Sequence, residues 1–176
     1  WEAWAIKASA KPWPWNRNKK HLGSKKQAFN LNATSNLAKE LSPMIAKKPF
    51  EVEVQIEKMG EGVLVAQGGD THGWVLFVKD NVAHFALSLG GKIETVHANE
   101  KLTEKDGKIL VKLNARGMVE LLAGKRKLGS GKMSSLVKEM PIDGLQVGRD
   151  EGGTVGDYKD AFAFDGKIRK VRIKIN

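Results

Sequence analysis

The feature that most constrains this chain is an unbroken two-residue alternation in the stretch PFEVEVQIEK, residues 49–58. Every second side chain is apolar and those between are polar. The alternation puts Phe50, Val52, Val54 and Ile56 on one face and Glu51, Glu53, Gln55 and Glu57 on the other. Period-two patterning is typical of a strand with one face in a core and the other in water. The stretch therefore predicts a half-buried strand.

Further apolar runs follow at short, regular intervals. They read GVLVAQ, WVLFVKD, VAHFALSL, KIETVHA, KILVKLNA, GLQVGRD and IRKVRIKI, with a hairpin in MVELLAGKRKLGSG that turns at residues 124–127. Glycine, asparagine and aspartate separate them, as expected for tight turns. Nine or ten strands with hardly any helix signal predict an all-β fold, a sandwich of two antiparallel sheets. The one helix candidate is SNLAKEL, residues 35–41, with Ser35 or Asn36 as its N-cap and Pro43 just past its end.

The formal charge of +10 is unevenly distributed. Residues 1–48 contain ten Lys or Arg against two Glu, whereas the remaining residues are nearly balanced. The basic tip at residues 124–127, GKRK, has no aromatic platform beside it for stacking on bases. We therefore predict no nucleic-acid-binding face on the main domain.

The first residues form a segment of different character. We predict residues 1–27 to be a short helical or irregular extension, either a linker or the end of a preceding domain, and residues 28–176 to be the sandwich domain. Four tryptophans fall in this segment, Trp1, Trp4, Trp13 and Trp15. Exposed apolar clusters of this kind mark contact surfaces, so we predict that these indoles contact a neighbouring domain. Because the chain begins at Trp1, we expect a fragment or processed product.

Several function classes are excluded by composition. The absence of cysteine rules out disulfides, thiolate metal sites and a cysteine nucleophile. No apolar run reaches 18 residues and no leader is visible, so we predict no membrane partner.

Two stretches are candidate sites. Residues 67–73, QGGDTHG, lack the spacing of phosphate-binding loops and join two strands, which favours a glycine-assisted reversal. Within and after it, His72 and Trp74 are candidate glycan-binding residues, with core packing as the alternative for Trp74. The other histidines lack metal-ligand spacing.

The second stretch is the acidic, glycine-broken GRDEGGTVGDYKD. Its carboxylates, Asp150, Glu151, Asp157 and Asp160, could ligate calcium, although the spacing of an EF-hand is absent. The alternative is a solvated connection in which Arg149 and Lys159 pair with these acids. No Ser-His-Asp order and no distinctive carboxylate pair occurs, so we predict no catalytic residue and no cofactor other than this calcium.

The motifs GVLVAQGG, GWVLFVKD, LQVGRDEGGTVGDY and FAFDGKIRKVRI, in that order, resemble the C-terminal region of bacterial arylsulfatases of the formylglycine-dependent family. The start, WEAWAIKASAKPWPW, is similar to the segment that ends their catalytic domain. The resemblance implies an accessory jelly-roll sandwich of concanavalin A or laminin-G type. Ser42 precedes Pro43 directly, so the C/S-x-P-S-R signature of the sulfatase nucleophile is missing.

The function that the resemblance implies is a non-catalytic domain that packs on a sulfatase catalytic domain and shapes substrate access. It also implies a periplasmic or secreted protein. Two alternatives remain open: a lectin-like carbohydrate-binding module that uses His72, Trp74 or nearby basic residues, and a sugar hydrolase of concanavalin-like fold.

Overall fold

The computed structural model describes residues 27–176, which form two packed antiparallel β-sheets. The strands of this part of the chain are β1 (Ala28–Leu31), β2 (Asn36–Leu37), β3 (Phe50–Lys58), β4 (Gly62–Gly68), β5 (His72–Lys79), β6 (Val82–Leu89), β7 (Lys92–His97), β8 (Lys108–Leu113), β9 (Met118–Ala123), β10 (Arg126–Lys132), β11 (Leu145–Val147) and β12 (Lys167–Ile175). Sheet I has the order β1-β12-β3-β8-β9-β10, and sheet II has the order β2-β11-β4-β5-β6-β7. The predicted two-sheet sandwich is confirmed, with a jelly-roll-like exchange of strands between sheets.

The core lies between the two sheets. The alternation of β3 is confirmed, since Phe50 is 1% exposed and Val52 and Val54 are fully buried, whereas the residues between them are half-buried. Phe50 of sheet I meets two rings of sheet II, with centroids 5.2 Å from Trp74 and 6.2 Å from Phe85. These aromatic contacts tie the sheets together, because ring pairs at such distances add to the free energy of burial.

A second, smaller apolar cluster lies on the outer face of sheet II. It contains Val63, Ala66, Val75, Phe77, Ala86 and Val155, with Tyr158 and Phe162 packed against it. Residues 148–166, hereafter the covering segment, contribute the last three. Because β4, β5 and β6 are buried on both faces, they show apolar runs rather than strict alternation.

The predicted helix at residues 35–41 is wrong. The segment contains β2 and a single 3-10 turn, Lys39–Leu41. Asn36 and Leu37 pair with Gln146 and Leu145 of β11, so their backbone is extended. A seven-residue helix is too short to be stable alone, and strand pairing prevails over the local signal.

The first strand of sheet I begins at Ala28. The predicted division between residues 1–27 and 28–176 stays a prediction, because all but one residue of the extension lies outside the described part. Within residues 27–176, no helix is long and apolar enough to cross a membrane.

Candidate functional site

A cleft surrounds His72 at one end of the sandwich, where three segments of chain meet. The segments are the β4–β5 turn, the β6–β7 turn and residues 133–143 between β10 and β11. His72 borders two adjoining depressions of about 110 and about 190 Å³. The smaller is lined by Gly69, Asp70, Thr71, His72, Ile142 and Asp143, and the larger by His72, Leu89, Gly90, Lys92, Glu94, Ser134, Ser135 and Lys138. We call this surface the His72 cleft.

The β4–β5 turn is the predicted glycine-assisted reversal. Gly68 has a φ of 101°, and a Cβ placed there would lie 2.3 Å from the carbonyl oxygen of His72. The amide of Gly69 donates to that same oxygen at 3.1 Å. Only glycine fits so close an approach with a positive φ. Gly68 therefore determines the conformation of the turn and the position at which His72 begins β5.

Backbone and side-chain hydrogen bonds hold the cleft walls together. The amide of Gly91 donates to the carbonyl of Thr71 at 3.0 Å, which joins the β6–β7 turn to the β4–β5 turn. The hydroxyl of Ser88, which is fully buried, donates to the carbonyl of Asp70. A site held in this way loses little conformational entropy when a ligand binds.

Glu94 holds the third segment of the cleft, residues 133–143, in place. Its carboxylate accepts hydrogen bonds from the amide and the hydroxyl of Ser134, each at 2.7 Å, and lies 3.3 Å from the ammonium of Lys92. These contacts, the bond from the Ser134 amide first, lower the pKa of Glu94. Glu94 is therefore ionised near neutral pH and anchors residues 133–143 against β7.

The chemistry of the cleft is that of a binding surface. Ile142 is 78% exposed and Leu89 is half-buried, so apolar surface lies beside polar groups. Carboxylates of Asp70 and Asp143 and the ammonium of Lys138 add acceptors and donors at the rim. Apolar patches among hydroxyl, carboxylate and ammonium groups suit a ligand that has both hydroxyls and an apolar face.

The structure places Trp74 in the core, which was the alternative interpretation. Its indole is fully buried, and its Nε1 donates to Oε1 of Gln67 at 3.2 Å. Gln67, also fully buried, donates from Nε2 to the carbonyl of Pro43 at 2.8 Å. Trp74 thus supports the cleft from beneath, two residues from His72, and exposes no ring face to a ligand.

The acidic stretch is divided, since Asp150 is buried whereas Glu151, Asp157 and Asp160 are exposed as in a solvated connection. Asp150 is 2% exposed, and its Oδ2 accepts a bond from the Val155 amide at 2.9 Å and another from the Tyr158 hydroxyl. Burial raises the pKa of Asp150 and that of Tyr158. The stretch packs on sheet II because Val155 and Tyr158 belong to the second apolar cluster.

The remaining predicted calcium ligands are dispersed on the surface. Glu151 is exposed and lies 3.2 Å from Nε of Arg149, and Asp157 and Asp160 are exposed as well. Among residues 27–176, no three His, Asp or Glu side chains converge on a point where a metal ion could sit. The predicted contact residues Trp1, Trp4, Trp13 and Trp15 lie outside the described residues.

Sequence reasoning missed most of the cleft. His72 was identified, but Asp143, Ser134 and Lys138 come from a stretch with neither apolar period nor motif. Only the serine pair in KMSSLVKEM, which precedes a turn-rich PIDG, distinguishes it. Asp143, Ser134 and Lys138 lie near His72 because strands that are distant in sequence pair with one another in the sheets.

No family model matches the sequence, and no curated protein matches it either. Solved structures do share its fold. The CBM40 domain of Ruminococcus gnavus IT-sialidase bound to α2,3-sialyllactose is similar, with a TM-score of 0.59 at 11% identity over 85% of this chain and 89% of that one. The complex with α2,6-sialyllactose gives 0.57, again at 11% identity, over 85% and 90%. NanB sialidase of Streptococcus pneumoniae gives 0.62 at 9% identity over 82% of this chain and 26% of its own.

The resemblance to arylsulfatase C-terminal regions is wrong. The structures reported above are the CBM40 domain of a sialidase and a sialidase, and neither is a sulfatase. The motifs on which the resemblance rested are strands joined to tight turns, such as the glycine reversal at Gly68 and the Asp80-Asn81 turn after β5. Any antiparallel sandwich needs such turns, so their order reports the fold and not the family. The predicted partner, a sulfatase catalytic domain, rested on this resemblance and is unsupported.

Proposed function

We propose that this chain is a carbohydrate-binding module and that it binds glycan in the His72 cleft. The observation that carries the proposal is the cleft itself, a preorganised polar and apolar surface at the end of a sandwich. The same fold serves as the CBM40 domain of a sialidase, where it is seen bound to sialyllactose. A shared fold alone does not assign function, so the cleft must supply the argument.

The size of the cleft suits one or two sugar units. Its depressions of about 110 and about 190 Å³ are smaller than the pockets of roughly 300–1,000 Å³ that enclose drug-sized ligands. A terminal sugar can rest in them with its apolar face toward Ile142 and Leu89. Its hydroxyls then meet Asp70, Asp143 and the serine hydroxyls, while Lys92 and Lys138 can attract a sugar carboxylate.

Other surfaces of sheet II are less suitable. The covering segment occupies the outer face over β4 and β5, where Val155 and Phe162 pack. Trp74, the aromatic side chain nearest in sequence to the cleft, is fully buried. Binding at the end of the sandwich is therefore favoured over binding across the sheet.

The test is calorimetric titration of the whole chain with sialyllactose and with neutral oligosaccharides, after a glycan array has selected the strongest ligand. We expect His72→Ala to weaken binding about tenfold or more, as loss of a contact worth about 1.4 kcal/mol does. The matched control is His97→Ala, since His97 is an exposed histidine at the far end of β7. Equal affinity of both variants, or an array on which no glycan binds, would overturn the proposal.

A further inference from the structure

The outer face of sheet I is polar and open, and most of its charges compensate one another. One cross-strand row contains Lys174, Glu51, Lys112 and Glu120, which are neighbours in register on β12, β3, β8 and β9. The signs alternate along this row, so it presents no net field. Opposite charges placed across a sheet stabilise the pairing of strands.

In the neighbouring part of the same face, the positive charges outnumber the negative ones. Arg172 lies opposite Glu53, and Gln55 lies between Lys170 and Lys108 on its two sides. Within the described part of the chain, these five side chains line a depression of about 240 Å³. It therefore contains three cations and one carboxylate.

The carboxylate is already engaged. Glu53 accepts a bond from Nζ of Lys108 at 3.0 Å and another from Nε2 of Gln55 at 3.2 Å. Burial is the largest influence and would raise the pKa of Glu53, but these bonds and the charges of Lys108 and Arg172 outweigh it, and the pKa lies below its usual value. Arg172 attracts the Glu53 carboxylate from beyond ion-pair distance, whereas Lys108 pairs with it directly, so the lining keeps an excess of two positive charges.

Lys170 and Arg172 have donors to spare. Neither has a carboxylate within ion-pair distance among residues 27–176. The Nε of Arg172 donates to Oδ1 of Asn30 at 3.3 Å, which orients the guanidinium and leaves its two terminal amino groups. An oriented guanidinium beside an ammonium fits the two oxygens of a carboxylate or sulfate.

We propose that this depression, hereafter the Arg172 depression, is a second binding site that takes the carboxylate or sulfate group of an acidic glycan. The lining is entirely polar, which suits a hydrated saccharide and disfavours an apolar peptide or lipid chain. Among residues 27–176, no aromatic side chain lines it, and stacking is what holds the bases of single-stranded nucleic acid. The site shares no residue with the His72 cleft and goes beyond the function proposed for it.

The test is titration of the whole chain with an oligogalacturonate hexasaccharide, a sulfated hexasaccharide and neutral maltohexaose. We expect an acidic ligand to bind and the neutral one not to bind at this site, with affinity that falls as salt rises. Arg172→Gln and Lys170→Gln should each weaken the acidic ligand about tenfold, the usual effect of losing a charge-assisted hydrogen bond. Both residues lie on a solvent-exposed sheet face, so the fold should persist.

Two controls separate this site from general charge attraction and from the cleft. Lys167→Gln removes a cation of the same strand whose ammonium is paired with Glu57 at 2.8 Å, and it should leave the affinity unchanged. Amide chemical shifts are the second control: residues 69–73 report on the His72 cleft and residues 170–172 on this depression, which distinguishes failure of this proposal from failure of the cleft. The proposal is overturned if Lys167→Gln weakens binding as much as Arg172→Gln, or if inorganic sulfate binds as tightly as the sulfated hexasaccharide.

Discussion

Replacement of Asp150 by alanine should loosen the covering segment and lower the stability of the domain. Its Oδ2 is the acceptor for the buried amide of Val155, at 2.9 Å, and for the hydroxyl of Tyr158. Alanine leaves both donors without a partner beneath the segment. A buried donor left unpaired costs about 1–3 kcal/mol.

The magnitude follows from two opposing effects. Loss of both acceptor bonds destabilises by about 4 kcal/mol at the middle of that range. Removal of the carboxylate offsets part of this loss, because burial raises the pKa of Asp150 and so disfavours its charged form. A net loss of about 2–4 kcal/mol corresponds to a fall in Tm of about 6–12 °C for a domain of this size.

Thermal unfolding followed by circular dichroism measures the fall, and hydrogen exchange locates it. We expect amides of residues 148–166 to exchange faster in Asp150→Ala, and Tyr158→Phe, which removes one donor, to cost only about 1 kcal/mol. Asp157→Ala is the control, since Asp157 is an exposed acid of the same segment. If Asp150→Ala has the same Tm as Asp157→Ala and the amides of residues 148–166 exchange at an unchanged rate, the reasoning fails.

Three further outcomes are expected. Burial, and then His97, lower the pKa of His84 from its usual value of 6.5, so the unfolded chain binds a proton more readily than the folded chain does. The free energy of unfolding measured in urea should therefore fall as the pH drops below about 6.5, and His84→Gln should flatten this pH dependence. Gly68→Ala should cost about 2 kcal/mol in the same assay, because its φ of 101° strains any other residue. Trp74→Phe leaves the buried Oε1 of Gln67 without its donor and should cost about 2 kcal/mol, measured against the conservative Phe85→Leu. A stability that does not change with pH would contradict the role of His84, and an unchanged urea midpoint in Gly68→Ala or Trp74→Phe would contradict the role of that residue.

The strands were predictable where one face alone is buried. β3 alternates because Phe50, Val52 and Val54 face the core while the glutamates between them face water. β12 follows the same rule. The helix prediction failed at Asn36 because its backbone partner, Gln146, is over a hundred residues away. Local sequence contains no record of such a partner.

The sites were predictable only in part. The glycine turn that fixes His72 is a local feature, so it could be identified from spacing. Asp150 could not be distinguished from its acidic neighbours, because what separates them is burial by Val155 and Tyr158. The Arg172 depression depends on the register of β12 against β3, and a shift by one residue would turn its cations inward.

The most direct test of glycan binding in the His72 cleft is mapping of amide chemical shifts on the isotopically labelled chain during titration with the best ligand from the array. The account predicts that the largest shifts fall in residues 69–73, 89–94 and 134–143, the three segments that line the cleft. Shifts that saturate with ligand but leave these segments unmoved would contradict it.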